Sequence, residues 1–331
     1  MVKTLKEISE ELGLSIATVS RVVNNKANVN EATRQLVQDT LDKYEYAPNL
    51  IARELKTQTS RTVGIIIPDI TEGFFGNVIR SASLSLQNAG YGVFLCNSDE
   101  TLERETDYLR LLIRQRVSGL IVASIASDSR SIDKLREFGI PVILIDNLFC
   151  DESSYDAVLI DNVRAGYLGC AHLLKKGCRR IGIIAGNQKE YTGRKRLEGC
   201  RNAFRDYGAA DPEPYIRCGD FKEGSGYHNM LDLLASCPEL DAVFIHSSKM
   251  TFGAIKALRE SGKLYPRDLS LVSFDLWDLY SSYTPSITSV VQPELDIGTK
   301  AARLLLERME GSRGEPRIQY LEPVFLERES G

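Results

Sequence analysis

From residue 61 onward the sequence alternates short, unbroken Val/Ile/Leu runs with amphipathic stretches of helical period, and few architectures accept that rhythm. The apolar runs are 63–67, 93–96, 120–123, 142–145, 181–185, 242–245 and 269–274. Between them lie helical patterns at 78–89, 103–115, 164–176, 193–207 and 249–262. A strand that is apolar at every position must be covered on both faces, which is the environment of a parallel sheet between crossover helices. There are too many units for one such sheet. The pattern predicts two, dividing near residues 160 and 290, with a cleft between them. Ligands of open parallel sheets sit beyond the carboxyl ends of the strands. The residues standing there are Asp69, Ser124, Asp146 and Asp275, while Arg196 offers a planar fork of donors and Phe74, Phe75 and Phe221 offer flat apolar walls. Acids, one arginine and aromatic faces suit a polyhydroxylated ligand.

The first sixty residues read differently. Thr4 and Glu7 have capping-box spacing, Leu5, Ile8 and Leu12 mark one face of a short helix, and Gly13 supplies the left-handed backbone of a tight turn. Ser15 caps a second helix reaching about Asn25, with Val19, Val22 and Val23 inward. A third helix begins at Asn30 and is expected to bury Ala32, Leu36, Val37, Leu41 and Tyr44. This order lets a second helix enter a major groove while the first crosses the backbone, although a plain helical hairpin shares the pattern. The outer face of the second helix points to the groove. Ser15, Thr18, Ser20, Arg21 and Asn24 are short donors plus one arginine, and Ile16 and Ala17 suit thymine methyls. In residues 1–60 eight Lys/Arg balance eight Asp/Glu, so bulk charge does not advertise nucleic acid. Sorting does, because Glu7, Glu10 and Glu11 all fall on the first helix.

Composition excludes several classes. Nowhere do eighteen apolar residues run together, and the N-terminus lacks an apolar segment of signal-peptide length, so the expected location is the cytoplasm and no membrane partner is expected. The 7 cysteines include no C-x-x-C pair, and His172, His228 and His246 lie far apart, so buried free thiols are expected rather than a metal site. Gly224-Ser225-Gly226 lacks the third glycine of a dinucleotide loop, and there is no Walker A run, nucleophile elbow or zinc-helix motif. Neither an enzyme nor a cofactor is expected.

Residues 15–24 (Ser-Ile-Ala-Thr-Val-Ser-Arg-Val-Val-Asn), with Val29 to Arg34 and Tyr46-Ala47-Pro48-Asn49-Leu50-Ile51-Ala52-Arg53-Glu54-Leu55, resemble the recognition helix and hinge of the LacI/GalR (lactose repressor) family. Gly64-Ile65-Ile66-Ile67-Pro68-Asp69, Pro141-Val142-Ile143-Leu144-Ile145-Asp146, Gly193-Arg194-Lys195-Arg196 and Thr288-Ser289-Val290-Val291-Gln292-Pro293 look like later segments of that family. The resemblance covers nearly the whole chain. It implies an α/β protein with a three-helix helix-turn-helix head (1–47), a hinge helix and linker (48–60), and two Rossmann-like subdomains of periplasmic-binding-protein type, about 61–160 with 292–320 and about 161–291 with 321–331. The implied function is a transcriptional regulator, by preference a repressor, that binds a pseudo-palindromic double-stranded DNA operator as a homodimer. Its implied control is a small-molecule effector, a sugar or sugar derivative, held between the subdomains. A protein co-repressor, or a degenerate pocket on the same fold, is the alternative.

Residue by residue, the resemblance implies DNA contacts at Thr4, Ser15, Ile16, Ala17, Thr18, Ser20, Arg21, Asn24, Asn30, Thr33, Tyr46, Asn49, Ala52, Leu55 and Lys56. It implies effector contacts at Asp69, Phe74, Phe75, Ser124, Asp146, Arg196, Phe221, Ser247, Asp275 and Gln292. Departures from the family pattern fall mainly on the cleft. Glu72-Gly73-Phe74-Phe75 stands where Asn-Pro-Phe-Phe is frequent, and Ser247-Ser248, followed by Lys249, replaces a frequent Asn-Asp pair. Ser273 replaces a glycine before Asp275, with bulky Leu276-Trp277-Asp278 after it, and in the head Ser9 replaces a small alanine. The cleft changes remove polar reach from its second half and add a cation and an indole, leaving charged, phosphorylated and oligomeric ligands open beside a neutral sugar.

Pro48 suits a first helical turn and Ile51, Ala52 and Leu55 share an apolar face, but so short a helix is expected to order only when paired and docked. The resemblance implies that Leu55 wedges between base pairs in the minor groove, where unstacking is offset by added contact. Replacing Leu55 with Ala should then weaken operator binding far more than binding to scrambled duplex, by titration of both. Equal losses would rule out the wedge.

Overall fold

A computed structural model describes residues 3–23, 28–44, 46, 60–126, 128–149, 154–276 and 284–331. The chain divides into two units, Met1–Thr59 and Ser60–Gly331. In the first, α1 (Leu5–Glu11), α2 (Ile16–Val23) and α3 (Glu31–Lys43) close on Ile8, Val19, Val22, Val37 and Leu41. The capping box forms, with the Glu7 amide donating to Thr4 Oγ1 at 3.3 Å and the Thr4 amide to Glu7 Oε2 at 2.7 Å. Gly13 takes φ +62° in the turn. Ser9 is buried, and its hydroxyl is satisfied by the Lys6 carbonyl at 2.7 Å. The third helix departs from expectation: Ala32 and Leu36 are exposed and Tyr44 is half-buried. At roughly 100° per residue, both lie at least a quarter-turn from Val37, and the inner face is completed by Thr40 instead.

The second unit contains two six-stranded sheets. The first is built from β1 (Thr62–Ile67), β2 (Gly92–Asn97), β3 (Gly119–Val122), β4 (Val142–Ile145), β5 (Asp156–Ile160) and β11 (Ile318–Leu321), in the order β11-β5-β4-β3-β1-β2, all parallel. The second uses β6 (Ile181–Ala185), β7 (Ile216–Cys218), β8 (Ala242–Ile245), β9 (Ser270–Phe274), β10 (Thr288–Val291) and β12 (Val324–Leu326). Its order is β12-β10-β9-β8-β6-β7, parallel except for the antiparallel β10–β12 pair. β3, β4, β6 and β8 are buried at every position, as their apolar runs require. The chain passes between the sheets after β5, after β10 and after β11.

Helices cover both sheets: α4 (Gly73–Asn88), α5 (Leu102–Arg114), α6 (Arg130–Glu137) and α11 (Glu294–Met309) on the first, and α7 (Asn162–Lys175), α8 (Tyr191–Asp206), α9 (Glu223–Ser236) and α10 (Ser248–Glu260) on the second. The α7–α8 pair touches backbone to backbone. A Cβ on Gly166 would lie 1.9 Å from the Arg196 carbonyl oxygen. Replacing Gly166 with Ala should therefore destabilise the protein by ~2 kcal/mol or more, even against the ~1 kcal/mol that alanine gains in helix propensity. Gly224, with nothing within 4 Å of its would-be Cβ, should accept Ala with no loss in the same urea-unfolding measurement.

Candidate functional site

On the head, Glu7 and Glu11 of α1 are tied to partners within the head itself. Glu11 accepts from Lys3 Nζ at 2.6 Å and from the Tyr44 hydroxyl at 2.9 Å, which link α1 to α3. The Lys3 bond holds the Glu11 carboxyl below its usual range. Ile16, Ala17 and Arg21 are exposed on α2, with Thr18 and Ser20 half-buried. Ser15 Oγ accepts from the Thr18 amide at 3.1 Å and lies 2.8 Å from Thr18 Oγ1, fixing the helix start. Asn30 Oδ1 accepts from the Thr33 amide at 2.8 Å, capping α3, and the half-buried Tyr46 packs on the head core. Asn24, Asn49, Ala52, Leu55 and Lys56 lie outside the described residues.

In the second unit, both sheets reverse their winding next to their first strands, between β1 and β3 and between β6 and β8. Loops there diverge to opposite faces and leave a crevice at the strand ends. Both crevices open onto one cavity of about 480 Å³. Of the residues expected at the effector site, Phe74, Phe75, Ser124, Asp146, Arg196, Phe221, Ser247, Asp275 and Gln292 line it. Asp69 does not; its carboxylate turns to the Thr71 amide at 2.8 Å and to Lys249 Nζ at 2.6 Å. Ser124 lines the cavity, but its hydroxyl is committed, donating to Glu105 Oε1 at 2.5 Å and accepting from the Ala126 amide at 3.1 Å. Walls not anticipated from the sequence include Asn77, Glu100, Asn147, Asn187, Glu190, Asp220 and Lys222. Asn147, Asn187 and the residues flanking Phe221 stand next to strand ends or to expected residues, which is the signal that would have found them.

Arg196 forms the floor. It is buried, with Nε donating to Asn162 Oδ1 at 2.9 Å, Nη1 to the His246 carbonyl at 2.8 Å, and its guanidinium 3.7 Å from the Phe274 ring centroid. Those partners fix the fork and leave its remaining edge for the cavity. Burial pulls its pKa down, against the carboxylates of Asp275, Asp146, Glu190 and Glu72. Asp146, Asp275 and Phe221 all take left-handed φ, 65°, 56° and 66°, where their strands give way to the cavity. The Phe221 ring is seated on Gly186, where a Cβ would lie 2.0 Å from it. The Asp146 carboxyl stands in the cavity wall near Arg196, and burial raises its pKa against that cation.

The mouth carries the ions. Lys249 Nζ lies 2.6 Å from Asp69, 3.1 Å from Glu72 and 3.4 Å from Glu100, and Lys222 Nζ lies 3.0 Å from Glu100. The cation expected in the ligand cavity is thus engaged across its entrance; Trp277 and Asp278 lie outside the described residues.

Residues 4–49 match the bacterial regulatory proteins of the lacI family, and residues 170–331 match the periplasmic binding protein-like domain. The HTH-type transcriptional regulator RegA of Clostridium acetobutylicum is 34% identical across 100% of this chain and 99% of its own length. The chain belongs to the lacI family. The HTH-type transcriptional repressor PurR of Photobacterium profundum is 31% identical over 99% of this chain and 98% of its own. Among solved structures, the regulator CelR in complex with cellobiose shares 31% identity and a TM-score of 0.77, covering 99% of this chain and 100% of that one. A lac repressor dimer bound to operator has the same fold, with a TM-score of 0.88 at 24% identity over 100% of this chain and 99% of that one. This lacI-family protein is a DNA-binding transcriptional regulator and not an enzyme. No helix among the described residues is long and apolar enough to cross a membrane.

Asp275 is the titratable group that pH should expose. Burial raises its carboxyl to about 6, against Arg196 and the bonds from the Gln292 amide at 3.0 Å and Gln292 Nε2 at 2.7 Å. The folded state thus holds this proton more tightly than the unfolded chain, whose Asp titrates near 3.8. Its contribution is full below that value and is lost as pH rises through about 6. Burial also raises Glu72, Glu190 and Asp146, so the wild type should lose stability over this interval. Asp275→Asn should show a smaller fall in urea midpoint over the same pH range.

Proposed function

We propose that this regulator acts in the cytoplasm as a homodimer on a pseudo-palindromic operator, and that a neutral polyhydroxylated ligand, a sugar or sugar derivative, controls it from the cavity between the two sheets. The observation that carries the ligand class is the cavity wall. Arg196 and the Asp146 carboxyl offer donors and acceptors to hydroxyls, Phe74, Phe75 and Phe221 offer faces to ring carbons, and the acids facing Arg196 outnumber it. An added phosphate or carboxylate would meet those acids, and Lys249 is already engaged at the mouth. The volume is ample for a small sugar. Solved structures of similar regulators with cellobiose, at 31% identity, and with ribose, at 30%, support a carbohydrate.

The head reads DNA through Ser15, Ile16, Ala17, Thr18, Ser20 and Arg21 on α2, with Thr4, Asn30, Thr33 and Tyr46 around it and Asn24, Asn49, Ala52, Leu55 and Lys56 completing the contact. The subdomains divide as 61–160 with 292–320 and 161–291 with 321–331, which supports a rotation of one against the other as the signal. A second copy would cover Leu84 on α4 and Phe94 and Leu95 on the edge strand β2, which are exposed apolar residues of the first sheet and its helix.

The test is a thermal-shift screen of neutral sugars, sugar phosphates and uronates on the full chain. A neutral sugar at about 100 times its Kd should stabilise the protein by ~2.7 kcal/mol. Arg196→Ala should abolish that shift and the change in operator affinity that accompanies it, while operator binding itself remains. Stabilisation by phosphates or uronates alone would overturn the ligand class, and no response to any sugar would favour a protein co-repressor or a degenerate pocket.

A further inference from the structure

Lys249 is poorly placed for its own subdomain. It occupies the first turn of α10, where the helix dipole disfavours a cation, and that turn contains no acid to offset it. Its partners all belong to the other sheet's loops: Asp69 and Glu72 precede α4, and Glu100 precedes α5. Lys222, ahead of α9 on the second sheet, reaches Glu100 in the same direction. Separated from these lysines, three carboxylates would be left crowded on one lip and a cation stranded at a helix N-terminus on the other. Glu72 and Lys249, on opposite lips, pair with each other at 3.1 Å.

We propose that Lys249, assisted by Lys222, is an electrostatic latch that holds the two subdomains closed over the cavity without any ligand. The closed arrangement is then the resting state, and an effector acts on an equilibrium the protein has already biased. The latch goes beyond the effector reading and needs no ligand, so an unresponsive ligand screen leaves it standing. Its ions are only partly shielded, with Lys249 26% exposed, so concentrated salt reaches them.

Interlobe distance tests this directly in the full-length protein. Phe138 at the end of α6 and Tyr207 at the end of α8 are 66% and 46% exposed, and both can carry spin labels on an introduced ketone amino acid without using the native thiols. Labelled chains are diluted into unlabelled chain, so each pair reports one molecule. At ~0.05 M NaCl the otherwise wild-type protein should give one narrow distance, with a second population growing towards ~1 M, where the Debye length falls to about 3 Å. Lys249→Met should show the second population already at low salt, with the closed-to-open ratio reduced roughly tenfold, and Lys249→Arg should keep the narrow distance. An unchanged low-salt distance in Lys249→Met overturns the latch, as does an open population as large in Lys249→Arg as in Lys249→Met. Should Lys249→Met fail to fold by circular dichroism, the wild-type salt series decides: a distance unmoved by 1 M NaCl overturns the proposal.

Discussion

The floor of the cleft depends on two helices whose backbones meet at a glycine. Gly166 lets α7 lie against the Arg196 carbonyl, so the pairing that builds the second sheet's cover also fixes the height of the arginine. Asn162, one turn earlier on the same helix, then takes its Nε. His246, just beyond β8, takes Nη1 through its carbonyl, and Phe274 at the end of β9 underlies the guanidinium. A buried cation is tolerable only when its donors are matched, and here backbone, amide and ring all contribute. Helix packing and site geometry are consequently one problem in this subdomain.

Much of this was legible in the sequence because the signals were local. Unbroken apolar runs marked the buried parallel strands, and the residues after them lined the cavity because parallel strands deliver their loops to one edge. The head was readable for the same reason: Thr4, Glu7, Gly13, Ser15 and Asn30 act on neighbours within a few positions. What escaped depends on approach in space. Asp69 stands after a strand like Asp146, yet its carboxylate turns to Thr71 and Lys249. Ser124 reaches the cavity with its hydroxyl already spent on Glu105, a buried acid of α5 whose role no spacing could announce. Leu36 looked like core because helical period alone does not say which of two overlapping apolar stripes the neighbouring helices will cover.

The two lips of the cleft show how charges acquire meaning in pairs. Glu72 alone is an acid crowding a pocket, and Lys249 alone is a cation at the wrong end of a helix. Brought together they neutralise each other, and the deeper wall is left with an excess of acids around one arginine. The chemistry offered to a ligand is thus set partly by an ion pair at the rim of the cavity.

The order in which strands join the sheets bears on how the chain matures during synthesis. β5 is flanked by β4 on one side and by β11 on the other, and β11 lies more than 150 residues later. A nascent chain that has assembled β1 to β5 therefore presents an unpaired parallel edge while the entire second sheet is still being made. β10 is completed later still, by β12, with Ser330 Oγ accepting from the Thr288 amide and donating to the Leu271 carbonyl. Long-range pairing of this kind folds slowly and leaves open ladders that other chains can join. The last dozen or so residues close both sheets, so a truncation that spares every residue of the cleft and the head would still leave a protein prone to aggregate.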